Sequence, residues 1–164
     1  MNNTWPISYK QKIESTHEKL WSLIIKPGNL NLVHPFCKTN EIIEWKNNNY
    51  SDVLIYLNGL TYFRTFKEWK PMVGYSIKIG SKNAKQSDVK WQIIENGEFT
   101  FVKITVKPYT SSKIPKLLYP FIHYTIIRPK LKSYLKSVLK GLEYYLTYKK
   151  PVPRNQFGNH SWFA

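Results

Sequence analysis

The stretch DVLIYLNGLTYFRTF, residues 52–66, predicts a β-hairpin. Asn58-Gly59 stands between two runs rich in β-branched and aromatic residues, which is the strongest short-range signal for a two-residue turn. Such a turn pairs Val53 with Arg64, and because side chains alternate along a strand, one face of the hairpin is apolar or aromatic except for Arg64. The residues predicted to share this face are Val53, Ile55, Leu57, Leu60, Tyr62, Arg64 and Phe66.

The sequence on either side of the hairpin predicts short helices and more strands. Residues 7–13 alternate in polarity as a strand with one wet face does, and residues 17–26 have helical spacing that begins after Ser15-Thr16 and ends at Pro27-Gly28. A second short helical segment precedes His34-Pro35. Turn signals at regular spacing favour a curved antiparallel sheet. Its further strands are expected at 41–46, 75–79, 89–93 and 102–106.

A long amphipathic helix is predicted over residues 129–149. A sheet with one dry face needs a cover, and this helix is the element long enough to supply it. Gly141 inside the helix indicates a close approach to the sheet. The predicted fold class is α+β, a curved sheet around a long terminal helix. The apolar stripe of that helix consists of Leu131, Leu135, Val138, Leu139, Leu142, Tyr145 and Leu146.

The length of 164 residues suits one domain over residues 1–150 and a tail over residues 151–164. The tail is unusually aromatic, with Phe157, Trp162 and Phe163, and is therefore expected to pack back on the domain. One cysteine, no apolar leader and no run long enough to span a bilayer together predict a cytoplasmic protein, either monomer or homodimer.

The net charge of +15 raises the question of an anionic partner. Only three of the 25 basic residues are Arg, the preferred residue for contacts with bases and phosphates, and the lysines are spread along the whole chain. We therefore expect no nucleic acid partner. Lys132, Lys136 and Lys140 on one helix face leave two interpretations open, a solvated surface or transient contact with an anionic membrane.

Three stretches in this order resemble the START-like superfamily, also called SRPBCC or the birch-pollen-allergen fold. They are EKLWSLIIKPGNLNLVHPF (18–36), DVLIYLNGLTYFRTF (52–66) and LKSYLKSVLKGLEYY (131–145), and the resemblance is greatest to polyketide cyclase-like and lipid-transport-like members. The resemblance implies a helix-grip fold with a mostly apolar cavity between the sheet and the last helix. Members bind lipids, sterols, polyketides or plant hormones, and a few cyclise bound polyketides. No shared catalytic motif can be carried over to this sequence.

Arg64 is the sharpest candidate for a ligand contact. A buried guanidinium needs a carboxylate, carbonyl groups or an anionic ligand, and in the predicted register Asp52 points to the opposite face. A structural ion pair and an anchor for an acidic ligand both remain open. In a cavity, the aromatic residues of the strands would contact a flat or greasy ligand. The candidate ligand-binding residues are Arg64, Tyr62, Phe66, Trp69, Tyr75, Trp91, Ile55, Val53, Leu131 and Leu135.

His34 and His123 are weak candidates for catalysis, because imidazole titrates near neutral pH, although a structural role is commoner for such residues. Cys37 is more typical of a small buried hydrophobe than of a nucleophile. The spacing of His and Cys predicts no metal, and the absence of phosphate-loop and dinucleotide motifs predicts no cofactor.

Three functional hypotheses follow. The first is binding or transport of a hydrophobic small molecule, lipid- or polyketide-like and carrying an acidic group. The second is an enzyme of the polyketide cyclase or dehydratase type that uses His34, His123 or a tyrosine as acid or base. The third is a basic interaction module for an acidic protein or a membrane surface.

Overall fold

A computed structural model describes residues 5–164. Seven strands form one sheet in which every pair of neighbours is antiparallel, in the order β1-β7-β6-β5-β4-β3-β2. The strands are β1 Ile7–Ile13, β2 Cys37–Lys46, β3 Asn49–Tyr56, β4 Thr61–Lys70, β5 Gly74–Gly80, β6 Ser87–Asn96 and β7 Phe99–Lys107. The helices are α1 His17–Ile24, α2 Leu30–Val33, α3 Tyr119–Ile122, a π-helical turn His123–Ile127 and α4 Arg128–Tyr148.

The predicted α+β helix-grip architecture is confirmed. The helices α1 and α2 carry the chain from β1 at one edge of the sheet to β2 at the other edge, and α4 returns over the dry face. The predicted apolar stripe of α4 is buried at Leu131, Leu135, Val138 and Leu142, whereas Lys132 and Lys136 are exposed. Burial of this stripe supplies most of the helix's stability, because tertiary packing of an amphipathic face outweighs intrinsic helix propensity in proteins.

The register predicted for the 52–66 hairpin is wrong by one residue. The loop contains three residues, Leu57 to Gly59, closed by the Tyr56 N–H to Leu60 carbonyl hydrogen bond of 2.9 Å. Of the three described loop residues only Gly59 has a positive φ, at 86°, which is typical of a three-residue loop and not of the two-residue turn. Asp52 therefore pairs with Arg64 and shares its face, where Val53 was expected.

Gly141 marks a close approach, although its partner is α2 and not the sheet as predicted. A Cβ added at Gly141 would lie 2.0 Å from the Val33 carbonyl oxygen and 3.1 Å from Pro35 Cδ. Only a residue without a side chain lets the backbones of α2 and α4 come this close. This contact holds His34, at the end of α2, against α4.

The C-terminal residues lie against the helices and the hairpin. Val152 N–H donates to the Leu32 carbonyl at 2.9 Å, and Asn155 N–H donates to the Pro35 carbonyl at 3.0 Å. Phe163 is buried against the Tyr56 ring, with 4.5 Å between the centroids. The Asn58 side-chain amide donates to the Trp162 carbonyl at 2.9 Å, which ties the hairpin loop to the end of the chain.

Candidate ligand cavity

An internal cavity of about 350 Å³ lies between the sheet and α4. Its lining is mainly apolar, with side chains from β3 to β7 on one side and from α4 on the other, and Phe163 of the C-terminal residues closes part of it. Alternation along the strands explains the composition, because the residues that face α4 are the buried ones. Apolar lining residues include Leu54, Ile77, Val89, Trp91, Ile104, Leu131, Leu135 and Val138.

Arg64 lines this cavity as half of a buried ion pair. Its Nε donates to Asp52 Oδ1 at 2.7 Å and its Nη2 donates to Asp52 Oδ2 at 2.5 Å, a bidentate arrangement. Arg64 is 3% exposed and Asp52 0%. Burial alone would lower the pKa of Arg64, but the hydrogen bonds and the negative charge of Asp52 raise it. The Arg64 guanidinium, for which the predicted register gave no partner, is neutralised by Asp52 of the same hairpin.

His34 begins a second polar chain on the same side of the cavity. Phe36 N–H donates to His34 Nδ1 at 3.2 Å, so Nε2 carries the proton and donates to the Tyr134 hydroxyl at 2.7 Å. Tyr134 and Tyr56 share a hydrogen bond of 3.1 Å between their hydroxyl groups. Burial, and then the charge of Arg64, lower the pKa of His34 to about 3, so this imidazole is neutral at physiological pH.

Asp52, Arg64, His34, Tyr56 and Tyr134 together form the paired polar cluster. Four of these residues line the cavity, and Asp52 supports Arg64 from behind. Burial raises the pKa of the Tyr56 and Tyr134 hydroxyls, so both stay protonated. The cluster therefore offers a ligand neutral hydroxyl groups, with its imidazole and its one charge pair already satisfied.

The structure brings half of the predicted ligand-binding residues together. Tyr62, Arg64, Trp91, Leu131 and Leu135 line the cavity. The shifted register turns β3 over, so that Leu54 and Tyr56 face the cavity and Val53 and Ile55 lie on the opposite face, half-buried.

Three predicted residues lie in an aromatic cluster beside the cavity instead of on its wall. Phe66 and Trp69 pack edge to face with Trp45, at centroid distances of 5.2 and 6.3 Å. Tyr75 connects this cluster to the cavity, because it stacks on Trp91 at 6.0 Å. The pairing of β4 with β5 shifts register between Phe66 and Glu68. Such a bulge changes the direction in which the following side chains, including Trp69, point.

The remaining sequence candidates have structural partners or lie off the cavity. Burial raises the pKa of Cys37 to about 12, which leaves the thiol protonated and a poor nucleophile. His123 is buried behind the π-helical turn against Trp5, with 5.2 Å between ring centroids. Within residues 5–164, no three His, Cys, Asp or Glu side chains come together as a metal site requires.

The connection between β7 and α4 forms another side of the cavity through Tyr109, Ser111, Ile114, Tyr119 and Ile127. Apart from the weak catalytic candidate His123, sequence reasoning assigned no function to this segment, although its apolar residues are conspicuous. Tyr119 is buried, and among the described residues its hydroxyl has no hydrogen-bond partner; the same holds for Nδ1 of His123. Residues 111–127 are called the rim segment below.

Comparisons with known proteins identify the fold. No protein-family model matches the sequence, and no curated protein matches it either. A START superfamily protein from Mycobacterium smegmatis is similar in structure, with a TM-score of 0.69 and 11% identity over 88% of this chain and 99% of that one. Ara h 8.0201 is similar with a TM-score of 0.60 and 12% identity over 87% and 98% of the two chains.

DynU16, from the dynemicin biosynthetic locus, is a third similar structure. Its TM-score is 0.65 at 12% identity, and the match covers 89% of this chain but only 48% of DynU16, so this chain spans about half the length of that protein. At such low identities the likeness concerns the fold alone. The chain has the START-type helix-grip fold, as its sequence resemblance implied.

Proposed function

We propose that this protein binds a lipid- or polyketide-like small molecule in the cavity between the sheet and α4. The observation that carries the proposal is the lining of this cavity of about 350 Å³, which is apolar except on one side, where the paired polar cluster lies. Binding sites for small molecules combine these two features, an apolar body that supplies affinity and a few placed polar groups that fix orientation. Similarity in fold to START superfamily proteins and Ara h 8.0201 supports the same class of function.

The polar group of the ligand is better matched by a neutral hydroxyl or carbonyl than by the acidic group expected from the sequence. That expectation depended on an unpaired Arg64, and Arg64 already holds the Asp52 carboxylate bidentately. A second carboxylate beside this pair would have to be desolvated next to the negative charge of Asp52. The Tyr134 and Tyr56 hydroxyls can instead exchange hydrogen bonds with an uncharged group, while His34 holds the Tyr134 hydroxyl in place.

Binding is favoured over catalysis by the state of His34. Its Nδ1 accepts from the Phe36 N–H and its Nε2–H donates to Tyr134, so neither nitrogen is available to take a proton from a bound substrate. With a pKa of about 3, the ring is also a very weak base. The geometry therefore supports a role for His34 in holding the Tyr134 hydroxyl in position for a ligand.

A matched ligand series tests both parts of the proposal. Titration with decanol, decanoate and methyl decanoate, followed by calorimetry and by tryptophan fluorescence, to which Trp91 on the cavity wall contributes, should show the alcohol binding at least as tightly as the acid. Native mass spectrometry of the freshly purified protein should reveal a bound hydrophobic molecule. Tighter binding of decanoate than of decanol would restore the acidic-ligand hypothesis, and binding of none of the three would contradict the proposal.

Leu135→Trp and Lys136→Trp provide the matched variants. Leu135 lines the cavity, so an indole there fills ligand space, whereas Lys136 is on the solvent face of the same helix turn. Leu135→Trp should lower affinity at least about tenfold, and Lys136→Trp should leave affinity unchanged. Melting temperatures of both variants separate loss of the cavity from loss of the fold. Equal affinities in two folded variants would show that the ligand binds elsewhere.

A further inference from the structure

The rim segment exposes a concentration of large apolar side chains. Leu117 is 90% exposed and Phe121 is 70% exposed, and Leu118, Tyr124 and Ile126 are exposed as well. These five residues lie within ten positions of the sequence. Monomeric proteins rarely leave contiguous apolar surface of this kind in water, and where they do it marks an interaction site.

The helical spacing of the rim segment separates this apolar surface from the cavity. Tyr119, His123 and Ile127 recur every four residues and face inward, where Tyr119 and Ile127 line the cavity. Leu117 and Phe121, also four apart, lie on the outer side. One short segment therefore presents an apolar face to solvent and a second face to the cavity.

The charges around the rim segment have one sign. From residue 99 to residue 142 the sequence contains nine Lys or Arg and no Asp or Glu. Lys113, Lys116 and Arg128 are exposed, and Arg128 Cζ lies 5.6 Å from the centroid of the Tyr124 ring, which places a cation directly beside the apolar surface. A partner for this surface must combine negative charge with an apolar interior.

We infer that the outer face of residues 113–128 is a docking surface for an anionic lipid bilayer. Phe121, Leu117 and Leu118 would enter the boundary between headgroups and acyl chains, while Lys113, Lys116 and Arg128 remain among the phosphates, the arrangement of interfacial amphipathic helices. A second copy of the chain is disfavoured as the occupant, because it would bring two sets of these cations together. Among the described residues, no helix has the length and apolar character to cross a bilayer.

This inference goes beyond ligand binding and is tested without a ligand. The protein is floated with vesicles of phosphatidylcholine alone and of phosphatidylcholine mixed with phosphatidylglycerol, at low and at high salt. Binding should require phosphatidylglycerol and should weaken as salt rises. Failure of the cavity to bind decanol would leave this result unaffected, so the two proposals can fail separately.

Matched variants show whether the rim segment is the part that binds. Phe121→Ser should weaken vesicle binding about tenfold. Lys116→Glu changes the charge by two units and should weaken binding about twenty-five-fold, because each charge near an anionic surface contributes roughly a fivefold change. Ile43→Ser and Lys46→Glu are the controls, since Ile43 is 57% exposed and both residues lie on the edge strand β2. The controls should bind as the unaltered protein does.

Three results would overturn the inference. The first is equal binding to both kinds of vesicle. The second is equal loss in the Lys116→Glu and Lys46→Glu variants, which would indicate diffuse attraction by the net charge. The third is a dimer in sedimentation velocity that Phe121→Ser dissociates, which would make the rim segment a self-association surface.

Discussion

Two sides of the same cavity differ in how their polar groups are satisfied. In the paired polar cluster, Arg64 holds Asp52 bidentately and His34 uses both ring nitrogens. In the rim segment, the Tyr119 hydroxyl and Nδ1 of His123 are buried without partners among the described residues. The cluster therefore has one preferred geometry, whereas the rim segment has groups that gain from new contacts.

The paired polar cluster is therefore suited to orienting a ligand, and the rim segment is suited to admitting one. A satisfied network keeps its hydroxyl groups in fixed positions, which reduces the cost of ordering them when a ligand binds. A segment with unpaired polar groups, a π-helical turn and exposed apolar side chains loses less when it rearranges. The predictions below test this contrast, in order of decreasing effect.

The largest effect is expected when the ion pair of the cluster is broken from one side. Arg64→Met leaves the Asp52 carboxylate buried without its partner and should lower the free energy of unfolding by about 3–5 kcal/mol. Urea denaturation measures the change. The double variant Arg64→Met with Asp52→Leu removes both charges and should recover most of the loss. A stable single variant would mean that the pair contributes little.

The ion pair also shows where sequence reasoning succeeded and where it failed. Hydrophobic periodicity predicted the strands, the long helix and the buried stripe from Leu131 to Leu142, because these patterns depend on local spacing. The partner of Arg64 depended on the hairpin register, and a loop one residue longer than predicted moved Asp52 onto its face. The Asn58-Gly59 pair is compatible with both a two-residue and a three-residue loop. The hydrogen bond from the Asn58 side-chain amide to the Trp162 carbonyl forms only in the folded chain, so the local sequence does not indicate it.

Other residues of the site were missed for related reasons. Tyr134 joins the cavity wall because α4 lies against α2, a contact between residues about a hundred positions apart that no local pattern indicates. Tyr56 was overlooked because the predicted register put it on the face of the hairpin opposite to Arg64. For the rim segment the signal was present, since apolar residues four positions apart, such as Leu117 and Phe121, next to lysines are typical of an amphipathic interfacial helix.

Gly141→Ala tests whether close contact of α2 and α4 positions the cluster. The added Cβ would lie 2.0 Å from the Val33 carbonyl oxygen, so the helices must separate. Unfolding free energy should fall by about 1–3 kcal/mol, as for overpacking in other cores. Ser137→Ala is the control, because Ser137 is also buried in α4 and its change to alanine adds no atom. Equal stability of the two variants would contradict the close contact.

The pH dependence of stability tests the neutral state of His34. Its pKa is about 3 in the folded protein and about 6.5 when unfolded. The unfolded chain therefore binds a proton that the folded chain does not, and the contribution of His34 is complete above pH 6.5 and lost as pH falls toward 3. Between these two pH values, the unfolding equilibrium constant should rise up to tenfold for each unit by which the pH falls, on account of His34.

His34→Gln isolates that contribution from the other histidines. Gln keeps a donor that can reach Tyr134 but does not titrate. Urea unfolding at pH 6 and at pH 5 gives the difference in slope between the two proteins, in which the effects of His17, His123 and His160 cancel. Parallel slopes would show that His34 takes up its proton without unfolding.

The smallest effect is expected at Tyr119, where the same chemical change should have the opposite sign from that at Tyr134. Tyr119→Phe removes a buried hydroxyl that has no partner among the described residues, and should leave stability unchanged or raise it by less than about 1 kcal/mol. Tyr134→Phe removes the acceptor of the His34 Nε2–H and should lower stability by about 1–3 kcal/mol. Thermal and urea unfolding of both variants measure what removal of one hydroxyl group does to stability on each side of the cavity. Equal losses would show that the Tyr119 hydroxyl is paired in solution, and the contrast between a satisfied cluster and an unsatisfied rim segment would not hold.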